Sequence, residues 1–439
     1  MTEPNRFGFW TLTFLVVANM VGAGVFTTSG FTLAELGSPQ RVVLAWVVGG
    51  AIALAGAFSY GRLIRAMPES GGEYLFLSRA AHPLLGFIAG WVSLIAGFTG
   101  AIAFAATAFE SYLAPERIRP DWLPGDAIAI ASILVCGLFH GVRAKAGIYF
   151  QNAFVGIKLG LLTLFLLMAL VSLLTSDWMG GPVDRLTETG PWSSAVAFAG
   201  ALVWISLSYS GFNAAVYVAE EARESRKTIP KALLVGTMVV TLLYVFLNAV
   251  FVFAPPPEAI EGRADVAAIA AEWIGGDRIA TAIRGVICLA LLTSVSSMMM
   301  AAPRVYAKMA ADGFMPRSFH FTGEAPRVAI ALQAVLAIVF VLISTLQDLL
   351  SYLGLTLSLC AALSVGCLFL PSVRKGEIWR WSHLLAAAYI FPTLLAAGLM
   401  TLGNPWQLLG TVLTFSAGAV VYLVVGLNPK KAIDSGGLS

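Results

Sequence analysis

The chain has 439 residues, of which 58% are hydrophobic and only 12% are charged, and its mean hydropathy is +0.83. Soluble domains carry roughly 25% charged residues, so this composition excludes a soluble enzyme or binding module and indicates an integral membrane protein. The net charge of +3 is too small to indicate a nucleic-acid partner.

Twelve apolar runs have the length of about 17 to 25 residues or more that a helix needs to cross a bilayer. In chain order they are 8–33, 41–66, 83–113, 125–141, 147–174, 192–219, 231–254, 279–309, 327–346, 349–370, 382–401 and 405–426. The sequence therefore predicts an all-α membrane protein with twelve transmembrane helices. A further short helix is predicted at 264–275, ahead of the eighth run.

The distribution of Lys and Arg predicts the orientation in the membrane. With the N-terminus inside, 19 of these residues lie on the cytoplasmic side, 7 lie on the other side, and Lys158 lies within a run. Because cytoplasmic loops carry an excess of Lys and Arg, we expect a multi-pass protein of the cell membrane with both termini in the cytoplasm.

Two of the twelve runs are interrupted near their middle, the first at Val21–Val25 and the sixth at Ser208–Gly211. A broken helix at membrane depth leaves backbone N–H and C=O groups unpaired, and secondary transporters build their binding sites from such breaks. We therefore expect a substrate pocket between the two interruptions, with the lipid bilayer around the helices.

The interruptions also suggest an internal repeat. If residues 1–174 hold helices 1–5 and residues 192–370 hold helices 6–10, the two breaks occupy corresponding positions. An odd number of helices per half inverts the second half relative to the first, which is the pattern of inverted-repeat transporters. Residues 382–426 are then two peripheral helices.

Each break favours one kind of charged group. Small residues after Met20, namely Gly22, Ala23 and Gly24, let a ligand approach the start of a half-helix, where free N–H groups and the helix dipole stabilise an anion. In the sixth run, carbonyls freed between Leu207 and Gly211, with the Ser208 and Ser210 hydroxyls, suit an ammonium group. The alternatives are packing through small residues and a Ser/Gly kink without a ligand.

Four motifs carry a resemblance to a known family. They are Val21–Phe26 (VGAGVF), Met67–Tyr74 (MPESGGEY), Ser210–Asn213 (SGFN) with Glu220–Glu221 and Pro230, and Pro303–Pro316 (PRVYAKMAADGFMP) with Pro326. In order and spacing they resemble the amino acid–polyamine–organocation (APC) superfamily, and most closely the L-type amino acid transporters and their bacterial relatives. The resemblance implies a LeuT-like fold with broken helices 1 and 6, and transport of an amino acid. Its carboxylate lies on the first break and its ammonium group at the second.

The chain departs from the family pattern at two positions of the expected pocket. Ala23 stands where the family usually has Ser, which removes a hydroxyl donor and leaves carboxylate binding to backbone amides. Leu207 stands where the family often has a bulky aromatic residue that closes over the substrate. Trp204, one helical turn away, is the candidate replacement for that aromatic side chain.

Lys158 lies 11 residues into the fifth run, at a depth of about 16 Å. A Lys near the bilayer midplane costs roughly 2.5–3.5 kcal/mol and is by default a functional hypothesis. The resemblance to proton-coupled relatives implies an ammonium group that replaces a bound sodium ion, with Ser294 and Ser297 as candidate partners. A permanently charged structural strut, as suits an exchanger, and a lysine that snorkels to the lipid interface remain open.

The remaining chemistry-bearing residues indicate neither an enzyme, nor a cofactor, nor a metal site. All four cysteines (Cys136, Cys288, Cys360 and Cys367) lie in apolar runs and are expected to be buried thiols. Glu220 and Glu221 are expected on a solvated face, or alternatively in an inner gate with Arg304 or Arg62. Apart from Lys158 the middles of the runs are uncharged, which favours neutral L-amino acids as substrates.

Three functional hypotheses are compatible with these patterns. The first is a secondary amino acid transporter, either a proton symporter or a sodium-independent exchanger. The second is an amino acid receptor that does not translocate its ligand, and the third is a membrane scaffold with vestigial breaks. Oligomeric state and the need for an accessory subunit are left open.

Overall fold

The computed structural model shows a helical protein. It describes residues 7–115, 119–142, 147–175, 178, 191–311, 327–374, 381–403 and 405–424. Within these ranges the regular structure is helical, apart from one isolated parallel β-bridge between Phe7 and Ala222. The predicted all-α architecture is therefore confirmed for the described part of the chain.

Seventeen α-helices are present in those ranges. They are α1 (Phe9–Met20), α2 (Ala23–Leu36), α3 (Pro39–Ala66), α4 (Gly72–Ala80), α5 (Pro83–Val92), α6 (Ala101–Leu113), α7 (Ala127–Val142), α8 (Gly147–Thr175), α9 (Pro191–Tyr209), α10 (Ser225–Phe253), α11 (Pro257–Ile260), α12 (Val266–Ala311), α13 (Arg327–Ile343), α14 (Leu346–Gly366), α15 (Pro371–Arg374), α16 (Trp381–Gly403) and α17 (Trp406–Val424). A π-helical stretch at Ser93–Gly100 joins α5 to α6, and 3₁₀ segments follow α9 and α14.

Every one of the twelve predicted runs overlaps a helix. Among the described residues, seven helical runs are long and apolar enough to cross a membrane, and the bent pair of α1 and α2 is an eighth candidate. Shorter apolar helices occupy 127–141, 159–174, 327–343 and 408–424. The structure is thus that of a protein with multiple membrane-spanning helices, and the total of twelve crossings stays a prediction.

Both predicted interruptions are real breaks in the helices. The first is short, because α1 ends at Met20 and α2 begins at Ala23, with a bend of 42° between them. In the second, α9 ends at Tyr209, and a turn at 210–213 leads into the 3₁₀ segment Ala214–Glu221. The predicted short helix at 264–275 also exists, since Gly275 and Gly276 leave helical geometry and divide α12 at that point.

A buried polar network fixes α2 between α3 and α10. The Ser29 hydroxyl of α2 donates to the Asn248 side-chain oxygen of α10 at 2.5 Å and accepts from the Trp46 indole N–H of α3 at 3.0 Å. Buried polar groups that all find partners stabilise one arrangement of the helices. This network therefore holds in place the helix that begins at the first break.

The four cysteines are buried and free, as predicted: Cys136, Cys288, Cys360 and Cys367.

Candidate substrate site

The first break places the start of α2 in the core of the protein. Gly22 precedes α2 without a side-chain hydrogen bond that caps the helix, so the first-turn N–H groups of Ala23, Gly24 and Val25 have no partner within the helix. On the other side of the break, the carbonyl of Met20 accepts a hydrogen bond of 2.5 Å from the Tyr244 hydroxyl. Backbone N–H donors therefore remain for a ligand at the start of α2, whereas the last carbonyl of α1 already accepts a hydrogen bond.

The second break is a tight turn built on Gly211, which has φ +96°. Only glycine adopts this conformation readily. The Leu207 carbonyl accepts from the Ser210 backbone N–H at 3.1 Å and from the Ser210 hydroxyl at 2.6 Å. Both lone pairs of that carbonyl are therefore occupied, and the structure differs here from the expectation that it is free. Among the described residues, no backbone N–H of this turn donates to the carbonyls of Ser208 and Tyr209.

The two breaks lie against each other. A methyl group on Gly211 would lie 2.9 Å from the carbonyl oxygen of Asn19, at the end of α1. A methyl group on Gly24 would lie 2.9 Å from the Ser208 Cα and would collide with the Ser208 hydroxyl. That hydroxyl is 3.3 Å from the Thr28 hydroxyl in a buried contact. The structure thus places Gly24 against Ser208 and Gly211 against the end of α1, and the binding of a substrate at these residues stays a prediction.

The two candidate gate residues lie in the same helix, and both are buried. Leu207 is 8% exposed and Trp204 is 3% exposed. The Trp204 indole N–H donates to the Ser351 hydroxyl of α14 at 2.8 Å, which ties the ring to that helix. A movement of Trp204 over a substrate requires this bond to break, so its role as a gate stays a prediction.

The predicted partners of Lys158 lie on a neighbouring helix. Lys158 belongs to α8, and its side chain lies outside the described residues. Ser294 and Ser297 are half-buried on α12, which packs against α8. Their hydroxyls donate to carbonyls four residues earlier, at 3.0 and 2.8 Å. Each hydroxyl oxygen keeps acceptor capacity, and its contact with Lys158 stays a prediction.

Glu73 is a residue whose role sequence reasoning missed. It is only 6% exposed. It accepts hydrogen bonds from the hydroxyls of Tyr60 at 2.7 Å and Tyr217 at 2.5 Å, and from the side-chain amide of Asn213 at 2.5 Å. The motif Met67–Tyr74 served only to identify a resemblance. The available signal was an acidic residue at the start of a helix, directly after two glycines.

Glu220 and Glu221 are exposed, as expected for a solvated face. The Glu220 backbone N–H donates to the Ser70 hydroxyl at 3.0 Å. The Arg304 side chain and residues 312–326 of the fourth motif lie outside the described residues, so the alternative of an inner gate with Arg304 or Arg62 stays a prediction. Among the residues that the structure describes, no three His, Cys, Asp or Glu side chains form a group that could hold a metal ion.

A bundle of long apolar helices, two of which break and meet at their breaks, defines a class of helical integral membrane protein with a buried backbone site. The family model described as "Amino acid permease" matches residues 7–431. The chain therefore belongs to the amino acid permease family of the APC superfamily, which confirms the resemblance seen in the four motifs.

Individual relatives are distant and longer than this chain. The rabbit (Oryctolagus cuniculus) "Large neutral amino acids transporter small subunit 2" is 24% identical over 351 residues, which cover 77% of this chain and 64% of the relative. The mouse (Mus musculus) "b(0,+)-type amino acid transporter 1" is 26% identical over 57% of this chain and 52% of its own length. The mouse "Asc-type amino acid transporter 1" is 22% identical, with 83% and 70% covered. The chain thus aligns with between about half and two thirds of the first two of these relatives.

Proposed function

We propose that this protein is a secondary transporter that carries amino acids across a membrane by alternating access. The observation that carries the proposal is the contact between the two breaks, at Gly211 with Asn19 and at Gly24 with Ser208. Membership of the amino acid permease family supports the same substrate class, as do relatives whose names describe amino acid transporters.

The geometry favours a defined orientation of the substrate. Its carboxylate binds the N–H groups of Ala23 and Gly24 at the start of α2, where the helix dipole adds to the attraction. Its ammonium group binds carbonyls at the end of α9, and Ser208 and Tyr209 supply these in place of Leu207. Because Ala23 has no hydroxyl, binding of the carboxylate depends on the backbone N–H groups of Ala23 and Gly24 alone.

The finer architecture forms part of the proposal. The four shorter apolar helices also cross the membrane, which brings the total to twelve. Residues 1–174 and 192–370 form inverted halves of a LeuT-like fold, and 382–426 form the peripheral helices. Both termini lie in the cytoplasm, because the opposite orientation inverts a bias of 19 to 7 in Lys and Arg.

The substrates are neutral L-amino acids in this proposal, because the two interrupted runs, 8–33 and 192–219, contain no charged residue that could pair with a substrate side chain. Lys158 is assigned to proton coupling, with exchange as the alternative in which its charge is permanent. In the symporter, Lys158→Ala abolishes pH-dependent uptake, whereas the exchanger shows no pH-driven uptake before or after the substitution. Uptake that depends on pH and is unchanged in the variant refutes the role of Lys158.

Counterflow of labelled amino acids in proteoliposomes tests the transport proposal. The purified protein should exchange internal for external amino acid, and a panel of the twenty amino acids identifies the substrates. Gly24→Ala forces a methyl group into Ser208 and should abolish exchange. Gly285→Ala on α12, where a methyl group meets nothing within 4 Å, is the matched control and should exchange normally. Binding without counterflow instead indicates a receptor, and the absence of both indicates a scaffold.

A further inference from the structure

Two of the sequence motifs are each other's structural partners. The loop and helix start at Ser70–Glu73 dock on the segment that follows the second break, at Asn213–Glu220. The Glu220 backbone N–H donates to the Ser70 hydroxyl at 3.0 Å, and Glu73 accepts from Asn213 and Tyr217. We call this contact the Glu73 clasp, formed by Tyr60, Ser70, Gly72 and Glu73 with Asn213, Tyr217 and Glu220.

The clasp centres on a buried carboxylate with uncharged partners. One Glu73 oxygen accepts from Tyr60 and Asn213, and the other accepts from Tyr217. No cation of the described residues lies within ion-pair distance of it. Hydrogen bonds to an ionised acceptor are the strong kind, so the carboxylate gathers three side chains from α3 and from the segment after the break.

Gly72 shapes the place where Tyr217 enters the clasp. Its φ is +56°, and a methyl group on it would collide with the Tyr217 ring, with the Cδ1 atom at 3.0 Å. Tyr217 is 45% exposed as a whole residue, although its hydroxyl is directed inward onto Glu73. The Tyr217 ring is thus held mainly by the hydrogen bond from its hydroxyl to Glu73 and by contact with the backbone of Gly72.

We propose that Glu73 is a positioning residue that holds the segment after the second break against α3 and α4. The end of the substrate path beside the clasp is then closed, and it opens when Tyr217 and Asn213 leave the carboxylate. Asn213 lies two residues after Gly211, so the clasp acts directly on the turn that lines the candidate site. The role in transport rests on the proposed function above, whereas the closing contact itself can be measured without transport.

Cys360 of α14 provides a native reporter for the clasp. It is 4% exposed, and α14 packs against α4, the helix that contains Glu73. In a background with Cys136, Cys288 and Cys367 changed to Ser, the rate at which a maleimide labels Cys360 in membranes reports how often the clasp is open. The labelling is carried out without added amino acid.

Tyr217→Phe removes one hydrogen bond to the carboxylate and should speed the labelling of Cys360 at least about tenfold, the equivalent of one bond to an ionised group. Glu73→Ala should have a larger effect. Tyr352→Phe is the matched control, because it also removes one partly buried hydroxyl from a hydrogen bond, that to Thr414 at 2.8 Å. Tyr352 lies on the same helix as Cys360, and its variant should label at the parent rate.

A second measurement separates positioning from a loss of folding. The melting temperature of Tyr217→Phe should stay close to that of Tyr352→Phe, while its maximal counterflow rate changes and its half-saturating substrate concentration does not. Unchanged Cys360 labelling in folded Tyr217→Phe and Glu73→Ala protein overturns the clasp. Faster labelling in the two variants, together with no counterflow by the parent protein, leaves the clasp standing and refutes the transport proposal alone.

Discussion

Glu73 and Glu110 are both buried carboxylates in a predominantly apolar protein, and they are held by opposite means. Glu73 is 6% exposed and Glu110 is 5% exposed. Glu73 accepts from three uncharged side chains. Glu110 pairs with the guanidinium of Arg119 and accepts from the backbone N–H of Ala129 at 2.8 Å.

The difference concerns what happens when the partners separate. Breaking the pair of Glu110 and Arg119 leaves a charge buried without compensation, which is strongly unfavourable, so this pair joins α6 permanently to the start of α7. The donors of Glu73 are uncharged, and Tyr217, which is 45% exposed, lies where water can enter and replace the departing hydroxyl and amide groups as partners of the carboxylate. The same residue type thus acts as a fixed joint near the end of α6 and, in our proposal, as a releasable contact near the second break.

Arg119→Ala should have the largest effect on stability. It leaves the Glu110 carboxylate buried with one donor, and it also removes hydrogen bonds from Arg119 to the carbonyls of Leu123 and Pro124. We expect the free energy of unfolding to fall by about 3 kcal/mol, measured by denaturation in detergent. A loss below about 1 kcal/mol would show that the pair of Glu110 and Arg119 does not fix α6 to the start of α7.

The paired variants Glu110→Gln and Glu73→Gln compare the two sites directly. Glu110→Gln should cost about 2 kcal/mol, because it deletes a buried ion pair. Glu73→Gln should cost less than about 1 kcal/mol, because the amide still accepts from Tyr60 and Asn213 and can donate to the Tyr217 oxygen. The same denaturation assay measures both. Equal losses at the two positions would contradict the distinction between a fixed and a releasable carboxylate.

Gly72→Ala tests the clasp without altering its carboxylate. The new methyl group displaces the Tyr217 ring. Alanine at position 72 must also keep a left-handed φ, which lowers the free energy of unfolding by about 1–2 kcal/mol. We expect faster labelling of Cys360 with only this modest loss of stability. Gly262→Ala is a suitable control, since it has φ +70° but nothing within 4 Å of the added methyl group, and it should leave the labelling rate unchanged.

The helices and both breaks could be predicted from the sequence because they depend on local properties. Length and apolar composition define the helices, and small residues such as Gly22 and Gly211 mark the interruptions. The contact between the breaks was expected only from the positional repeat and the resemblance, because no local pattern places Gly24 against Ser208. Tertiary packing decides that contact.

The clasp could not be predicted because its members are far apart in the chain. Tyr60, Glu73 and Tyr217 meet only once α3, α4 and the segment after α9 are packed together. The sequence also did not reveal that the Leu207 carbonyl accepts a hydrogen bond from the Ser210 hydroxyl. That bond depends on the Ser210 rotamer, which cannot be read from the residue type. Sequence reasoning therefore found the backbone features of the site but not the side chains that stabilise them.

Lys227→Ala should have the smallest effect, and it completes the comparison with a pair that is not buried. Lys227 and Glu224 form an ion pair of 2.9 Å with side chains 79% and 64% exposed. The hydrogen bond and charge of Lys227 lower the pKa of Glu224. The pair therefore stabilises the fold above the pKa that Glu224 has in the unfolded chain, and this contribution disappears as the pH falls through the lowered value.

Since water screens exposed pairs, we expect the melting temperature of Lys227→Ala to stay within about 1 °C of the parent at pH 7, with no difference at a pH low enough to protonate Glu224 in the folded protein. The distance between the charges is short in this pair, as it is between Glu110 and Arg119, so pairing alone does not distinguish the two sites. A large loss in Lys227→Ala would show that pairing rather than burial makes Glu110 a fixed joint. In that case the uncharged environment of Glu73 would no longer explain why its contacts can be released.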